Sequence, residues 1–374
     1  VVSKCCREKM KSESLGVLVA FIGVCAVSSD GLLVKLAAQE DASVAAILFF
    51  KSISGFIVVS LIILAEATIR VGPRIWCGKV WRSLTRMGLI HLLVAGTTNF
   101  VVLAGFTLAF QYTTSANVLS FTALSPIWAS LLTRPVLGEA VPPRTIVANV
   151  LALLGSAIVV VGISLAGDQG EHELSESIVG TVIAVFTGFG AAGIAVTMRS
   201  AASRAPDTPM IIGMLLGLVL SALLGLGIYP DLHPDGADFV PEWRGLRWVI
   251  LNGGVCMAIT ITAYTIAGGL LPSAELTLIM QMEGLLGPLS VYAALNEVPL
   301  TTTLTGGALI LTTVMTHEGF SLKANSARTT EDPSAVKVQS VPKAVEEAED
   351  ISKANLSNVP TAVDAAEAPP EAII

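Results

Sequence analysis

Charge is what this sequence has least of. Asp, Glu, Lys and Arg make up 14% of its 374 residues, against about 25% in an ordinary soluble domain. A soluble fold needs charged side chains on every exterior face. Long stretches here carry none, which excludes water as the solvent for most of the surface. The few basic residues fall in short clusters between apolar stretches, without interleaved aromatics, so no nucleic acid is expected as a partner. The five cysteines, Cys5, Cys6, Cys25, Cys77 and Cys256, imply neither a disulfide framework nor metal-ligand spacing; no metal and no cofactor is expected. Groups able to do chemistry inside a membrane are scarce too. Asp30 is the sole aspartate within an apolar segment, and His91 lies near the end of one. Those shortages argue against an intramembrane Ser/His or two-aspartate hydrolase, and an enzyme is not expected.

What the chain has in abundance is hydrophobic length. A helix of about 20 mainly apolar residues, rising about 1.5 Å each, crosses a hydrocarbon core of about 30 Å. Runs of that kind lie near residues 15–36, 43–65, 87–109, 114–133, 145–166, 177–198, 209–229, 248–270, 274–295 and 302–317. The fold class expected is an all-α polytopic membrane protein with ten transmembrane helices. Residues 1–14 read as a cytoplasmic N-terminal segment, 168–176 as an acidic linker, and 319–374, rich in Lys, Glu, Ala, Ser and Pro, as a disordered acidic cytoplasmic tail.

Orientation follows from the basic residues. With the N terminus inside, the cytoplasmic segments hold Lys4, Arg7, Lys9, Lys11, Arg70, Arg74, Lys79, Arg82, Arg86, Arg134, Arg144, Arg199 and Arg204. The opposite face holds Arg244 and Arg247 together with most of the acidic loop residues, Glu171 and Asp235 among them. That positive-inside bias places both termini of an integral, multi-pass protein in the cytoplasm, in a plasma or organellar membrane.

The sequence also resembles itself. A shift of 158 residues brings Phe106-Thr-Leu-Ala onto Tyr264-Thr-Ile-Ala, Ser115-Ala onto Ser273-Ala, and Glu139 onto Glu297. Residues 15–167 and 177–318 are thus two copies of five helices. Five is odd, so the second copy sits upside down relative to the first, with the solute site expected near the bilayer midplane between them.

Leu119 to Pro142 reads LSFTALSPIWASLLTRPVLGEAVP, and residues 282–299 read MEGLLGPLSVYAALNEVP. In both, a proline sits inside a helix of small residues and a glutamate opens the following hairpin. In these stretches, and in Lys35 near the end of the first helix, the chain resembles the EamA-type transporters of the drug/metabolite transporter superfamily over roughly residues 15–318. It departs from that pattern at Gly284, Asn296 and Lys51, where the family commonly has proline, glycine and arginine.

Candidate site residues are those that are costly in a bilayer. Asp30 lies about 9 Å from the outer end of the first helix and Lys51 about 12 Å from that of the second. Their similar depth suggests an ion pair, with a gate or substrate contact as the alternative. Glu283 lies near the midplane of the ninth helix, opposite its repeat mate Ser125, where a carboxyl group can carry a proton or bind a substrate amine. Asn99, Asn117, Ser125, Tyr264 and Gln281 complete the expected polar lining, each with interhelical hydrogen bonding as the plainer reading. Glu275 reads as interfacial, and Glu139 and Glu297 as caps of the next helix. Gly213-Met-Leu-Leu-Gly217 reads as a packing face.

The function expected is secondary transport of a small neutral, zwitterionic or cationic metabolite by alternating access. The partners are that solute, the lipid bilayer and, as a homodimer, a second copy of the chain. Two alternatives stand beside it. One is a sugar-phosphate or nucleotide-sugar antiporter, disfavoured because the last five helices lack mid-membrane basic residues for phosphate. The other is a non-transporting sensor or scaffold acting through its acidic tail.

Overall fold

The computed structural model describes residues 2–83, 85–113, 118, 121–165, 174–232, 239–295 and 300–331; all of them lie in the unit Val1–Pro333. Among these residues every regular element is a helix. The first membrane segment is two helices, α1 (Val2–Val27) and α2 (Asp30–Ala38), and α1 runs unbroken through the segment expected to precede the membrane. Then come α3 (Val44–Ala65), the short α4 (Pro73–Ser83), α5 (Arg86–Tyr112), α6 (Ser125–Leu132) and α7 (Pro143–Leu165). The second half holds α8 (Leu174–Arg204), α9 (Met210–Leu232), α10 (Trp243–Leu251) and α11 (Ala258–Leu270). It ends with α12 (Ser273–Met280), α13 (Glu283–Leu295) and α14 (Thr301–Glu331). Arg244 and Arg247, expected in a loop, lie within α10, and α14 continues past the expected end of the membrane part at residue 318.

Eight described segments are long and apolar enough to cross a bilayer: Ser12–Ala38, Val44–Ile69, Arg86–Ala109, Pro143–Gly162, Ile178–Arg204, Met210–Pro230, Trp243–Leu270 and Ser273–Leu295. Their outward faces are apolar, with Leu18, Leu61, Leu64, Val147, Leu154, Phe186 and Leu223 all exposed. Such a surface is stable only against lipid. The fourth expected span falls partly on residues outside the description. The last, α14, is diluted by threonine, yet three of its hydroxyls are satisfied within the helix: Thr312, Thr313 and Thr316 donate to the carbonyls of Ala308, Leu309 and Thr312 at 2.7 Å each.

Small residues set the helix spacing. A β-carbon on Gly213 would meet the Leu92 carbonyl oxygen at 2.7 Å, and one on Gly96 would meet that of Gly213 at 2.9 Å. α5 and α9 therefore touch backbone to backbone, as the packing reading of Gly213–Gly217 requires. α5 also packs along α8, α3 along α9, α1 along α11, and α7 along α14. This leaves a space lined by α1, α2, α3, α5 to α9 and α11 to α14.

Candidate functional site

Three membrane segments break where they meet that space. After α1, Ser28 turns its hydroxyl back onto the Val24 carbonyl at 2.7 Å, and α2 restarts at Asp30. Before α6 the turn Ala123-Leu124 interrupts the helix, which restarts at Ser125. After α12 the turn Gln281-Met282 does the same, and α13 restarts at Glu283. Each restart puts a polar side chain at a helix N-terminus, where unpaired backbone N–H groups favour oxygen and negative charge. Pro126, expected inside a helix, is instead at the start of one. It sits in the first turn of α6, where its missing N–H has no partner to lose. Pro288 does lie inside α13.

The Asp30 carboxylate is tied twice through one oxygen. Lys51 Nζ on α3 donates to Oδ1 at 2.6 Å, and Asn252 Nδ2 donates to the same atom at 2.6 Å. Lys51 is 3% exposed, so the ammonium is held away from water and needs this partner. Asn252 reaches it from a π-helical turn, Asn252–Met257, that joins α10 to α11. The approach depends on Gly253, where a β-carbon would overlap the Lys51 carbonyl oxygen and Ser54 Oγ. Sequence reasoning missed Asn252; its signal was the Asn-Gly-Gly run inside an apolar segment.

Around the other two restarts the ties are neutral. Gln281 donates from Nε2 to Ser125 Oγ at 3.1 Å and accepts from Ser156 Oγ at 3.4 Å, joining α6, α7 and the α12–α13 turn. Asn99 on α5 donates to the Met214 carbonyl at 2.8 Å, in the space left by Gly217. Tyr264 is 5% exposed, with its ring against Gly23 and its hydroxyl buried without a hydrogen-bond partner among the described residues. Glu283 is half-buried, and no described side chain pairs with it.

These residues line one cavity of about 130 Å³. By that measure a single water needs roughly 10–15 Å³, so the space suits a solute of the order of ten non-hydrogen atoms. Asp30, Lys51, Asn99, Ser125, Tyr264, Gln281 and Glu283 all reach it, and its remaining walls are mainly apolar, among them Val27, Phe106, Val159, Ile194, Met257 and Ile310. Asn117 lies outside the described residues.

Other expected groups fall elsewhere. Glu275 is buried in the first turn of α12 rather than interfacial. Glu139, expected to cap the next helix, pairs instead with Arg199 of α8 at 3.3 Å, the guanidinium supplying a full opposite charge. Arg204 donates to the Val136 carbonyl at 2.6 Å nearby. Glu297 lies outside the description. A Ser/His pair does exist, His91 Nε2 with Ser200 Oγ at 3.0 Å. The other ring nitrogen is engaged by the Met87 carbonyl at 2.7 Å, both residues are buried and neither lines the cavity, so the pair ties α5 to α8.

An apolar exterior over eight spanning-length segments, with a solute-sized cavity at interrupted helices, describes a multi-pass integral membrane protein. Residues 14–161 match the family model described as EamA-like transporter family, so this region carries an EamA-like domain. No curated protein matches. Among solved structures 26 chains resemble the fold. One, described only as the crystal structure of a protein, has a TM-score of 0.62 and 15% identity, and the match covers 82% of this chain and 98% of that one. At that identity the likeness concerns the fold alone.

Proposed function

We propose that the chain is a secondary transporter that carries a small metabolite by alternating access through ten helices arranged as two inverted repeats, with both termini cytoplasmic. One observation carries this reading. The restarts at Ser125 and Glu283 stand 158 residues apart, the same offset that aligns the two sequence halves, and both side chains line the cavity. Interrupted helices paired by a repeat, meeting at one solute-sized space, are what rocking of one repeat against the other requires.

Within this site Glu283 is the coupling group. It is the cavity carboxylate without a described partner, whereas Asp30 is committed to Lys51 and Asn252. The buried hydroxyl of Tyr264 and the carbonyl side of Asn99 offer further hydrogen bonds to a solute amine or hydroxyl. A phosphorylated solute fits less well, because Lys51, the cation that lines the cavity, is held by Asp30.

A flux screen of metabolites across vesicles reconstituted with the full chain tests the transport reading; a chain that moves none of them would sink it. For the coupling role, Glu283→Gln keeps shape and hydrogen bonding but cannot exchange a proton. That variant should express normally and bind solute while losing pH-driven accumulation. Wild-type accumulation with an unchanged pH profile would remove Glu283 from the mechanism.

A further inference from the structure

We propose that α4 is an interfacial helix that binds the anionic lipid headgroups of the leaflet on its side of the protein. α4 (Pro73–Ser83) connects the spans Val44–Ile69 and Arg86–Ala109, so both its ends are held where those spans leave the hydrocarbon. At 100° per residue its sequence divides into two sides. Arg74, Gly78 and Arg82 recur every fourth position with Lys79 beside them, while Trp76, Cys77, Val80 and Trp81 fall on the other side.

The apolar side has two parts. Trp76 packs on the bundle, against the cluster that contains Ile63, Leu92 and Met210, and this seats the helix. On the same side Trp81 is 77% exposed and Cys77 is exposed as well, and Ile69, just before the helix, is 81% exposed; Ile75, 51% exposed, lies among the basic residues between Arg82 and Lys79. Indole rings are favoured at headgroup depth, where the ring meets acyl chains and its N–H stays wet.

Charge selects the lipid. Arg70, Arg74, Lys79, Arg82 and Arg86 stand within seventeen positions, and no Asp or Glu occurs between Glu66 and Glu139. A zwitterionic surface offers these cations no net attraction, whereas an anionic one favours each basic residue near it by roughly five-fold. An amphipathic helix with tryptophan on one side and cations on the other is built for such a surface.

The test uses the full chain reconstituted in phosphatidylcholine vesicles carrying traces of spin-labelled phosphatidylserine or phosphatidylcholine. We expect the wild type to prefer phosphatidylserine several-fold, with the preference shrinking as salt is raised. The Arg74→Gln/Lys79→Gln/Arg82→Gln variant should fall to near-equal association. Arg244→Gln/Arg247→Gln, on α10, should keep the preference. Equal preference in wild type and triple variant overturns the proposal, as does a wild type with none, since these vesicles hold no other partner such as an acidic protein. If the triple variant fails to fold, Lys79→Gln and the salt titration decide, and a preference insensitive to both overturns it.

Discussion

At the scale of single residues the site turns on one oxygen. Asp30 Oδ1 accepts from an ammonium and an amide at the same 2.6 Å, and both donors come from helices distant in sequence. Removing one member of a buried pair leaves the other charged and desolvated, at a typical cost of about 3–5 kcal/mol. Lys51→Met and Asp30→Asn should each lower the thermal stability of the detergent-solubilised protein by an amount of that order. The double variant should lose markedly less than their sum. Additivity to within about 0.5 kcal/mol would show that the two do not interact. Equal depth made Asp30 and Lys51 legible as partners from sequence. Asn252 was not, because its reach to Asp30 depends on a local widening of the helix that hydropathy does not register.

Elements explain more of what pattern reading could not see. The long apolar runs announced most spans, since length and hydropathy are all a span requires. Two of the breaks within them, Ser28-Ser29 and Gln281-Met282, carry neither glycine nor proline and leave no mark in composition. Pro126 marked the third break but was placed inside the helix rather than at its start. α4 escaped for a different reason, being too short and too charged to register as a span. Where glycine does matter, its effect is sharp. Gly253→Ala would drive a methyl group into the backbone of α3, forcing α3 and the π-helical turn apart and moving Asn252 off Asp30. We expect a loss of about 1–3 kcal/mol, visible as a lower melting temperature. An unchanged melting temperature would mean that the close approach is not needed.

For the whole molecule, the proposed symmetry is instructive where it is imperfect. The 158-residue offset carries the break at 123–124 onto that at 281–282, but it carries Ser28-Ser29 onto Phe186-Thr187, in the unbroken run of α8. Under the proposed symmetry, the broken helix bearing Asp30 is therefore matched by an intact one, α8. The local sequences part at this point, with Ser28, Asp30 and Gly31 in the first stretch against Phe186, Gly188 and Phe189 in the second. Topology remains the broadest prediction. Single cysteines placed at Glu171 and Asp235 should react with an impermeant probe from the non-cytoplasmic side, and one at Arg204 from the cytoplasm. Labelling of the Asp235 position from the cytoplasm alone would dismantle the inverted arrangement.

The π-helical turn Asn252–Met257 gives the second half of the molecule a spare residue. In a regular α-helix each residue advances the side chains by about 100°, so a single residue too many sets the angular phase of everything beyond it. Tyr264 faces the cavity in the present phase. Were the surplus to slip along the segment and come to rest beyond Tyr264, that ring would swing by roughly a quarter-turn or more about the helix axis, with every backbone hydrogen bond elsewhere intact. The segment thus behaves as a screw with one loose thread: it can re-aim what it presents to a solute without unwinding.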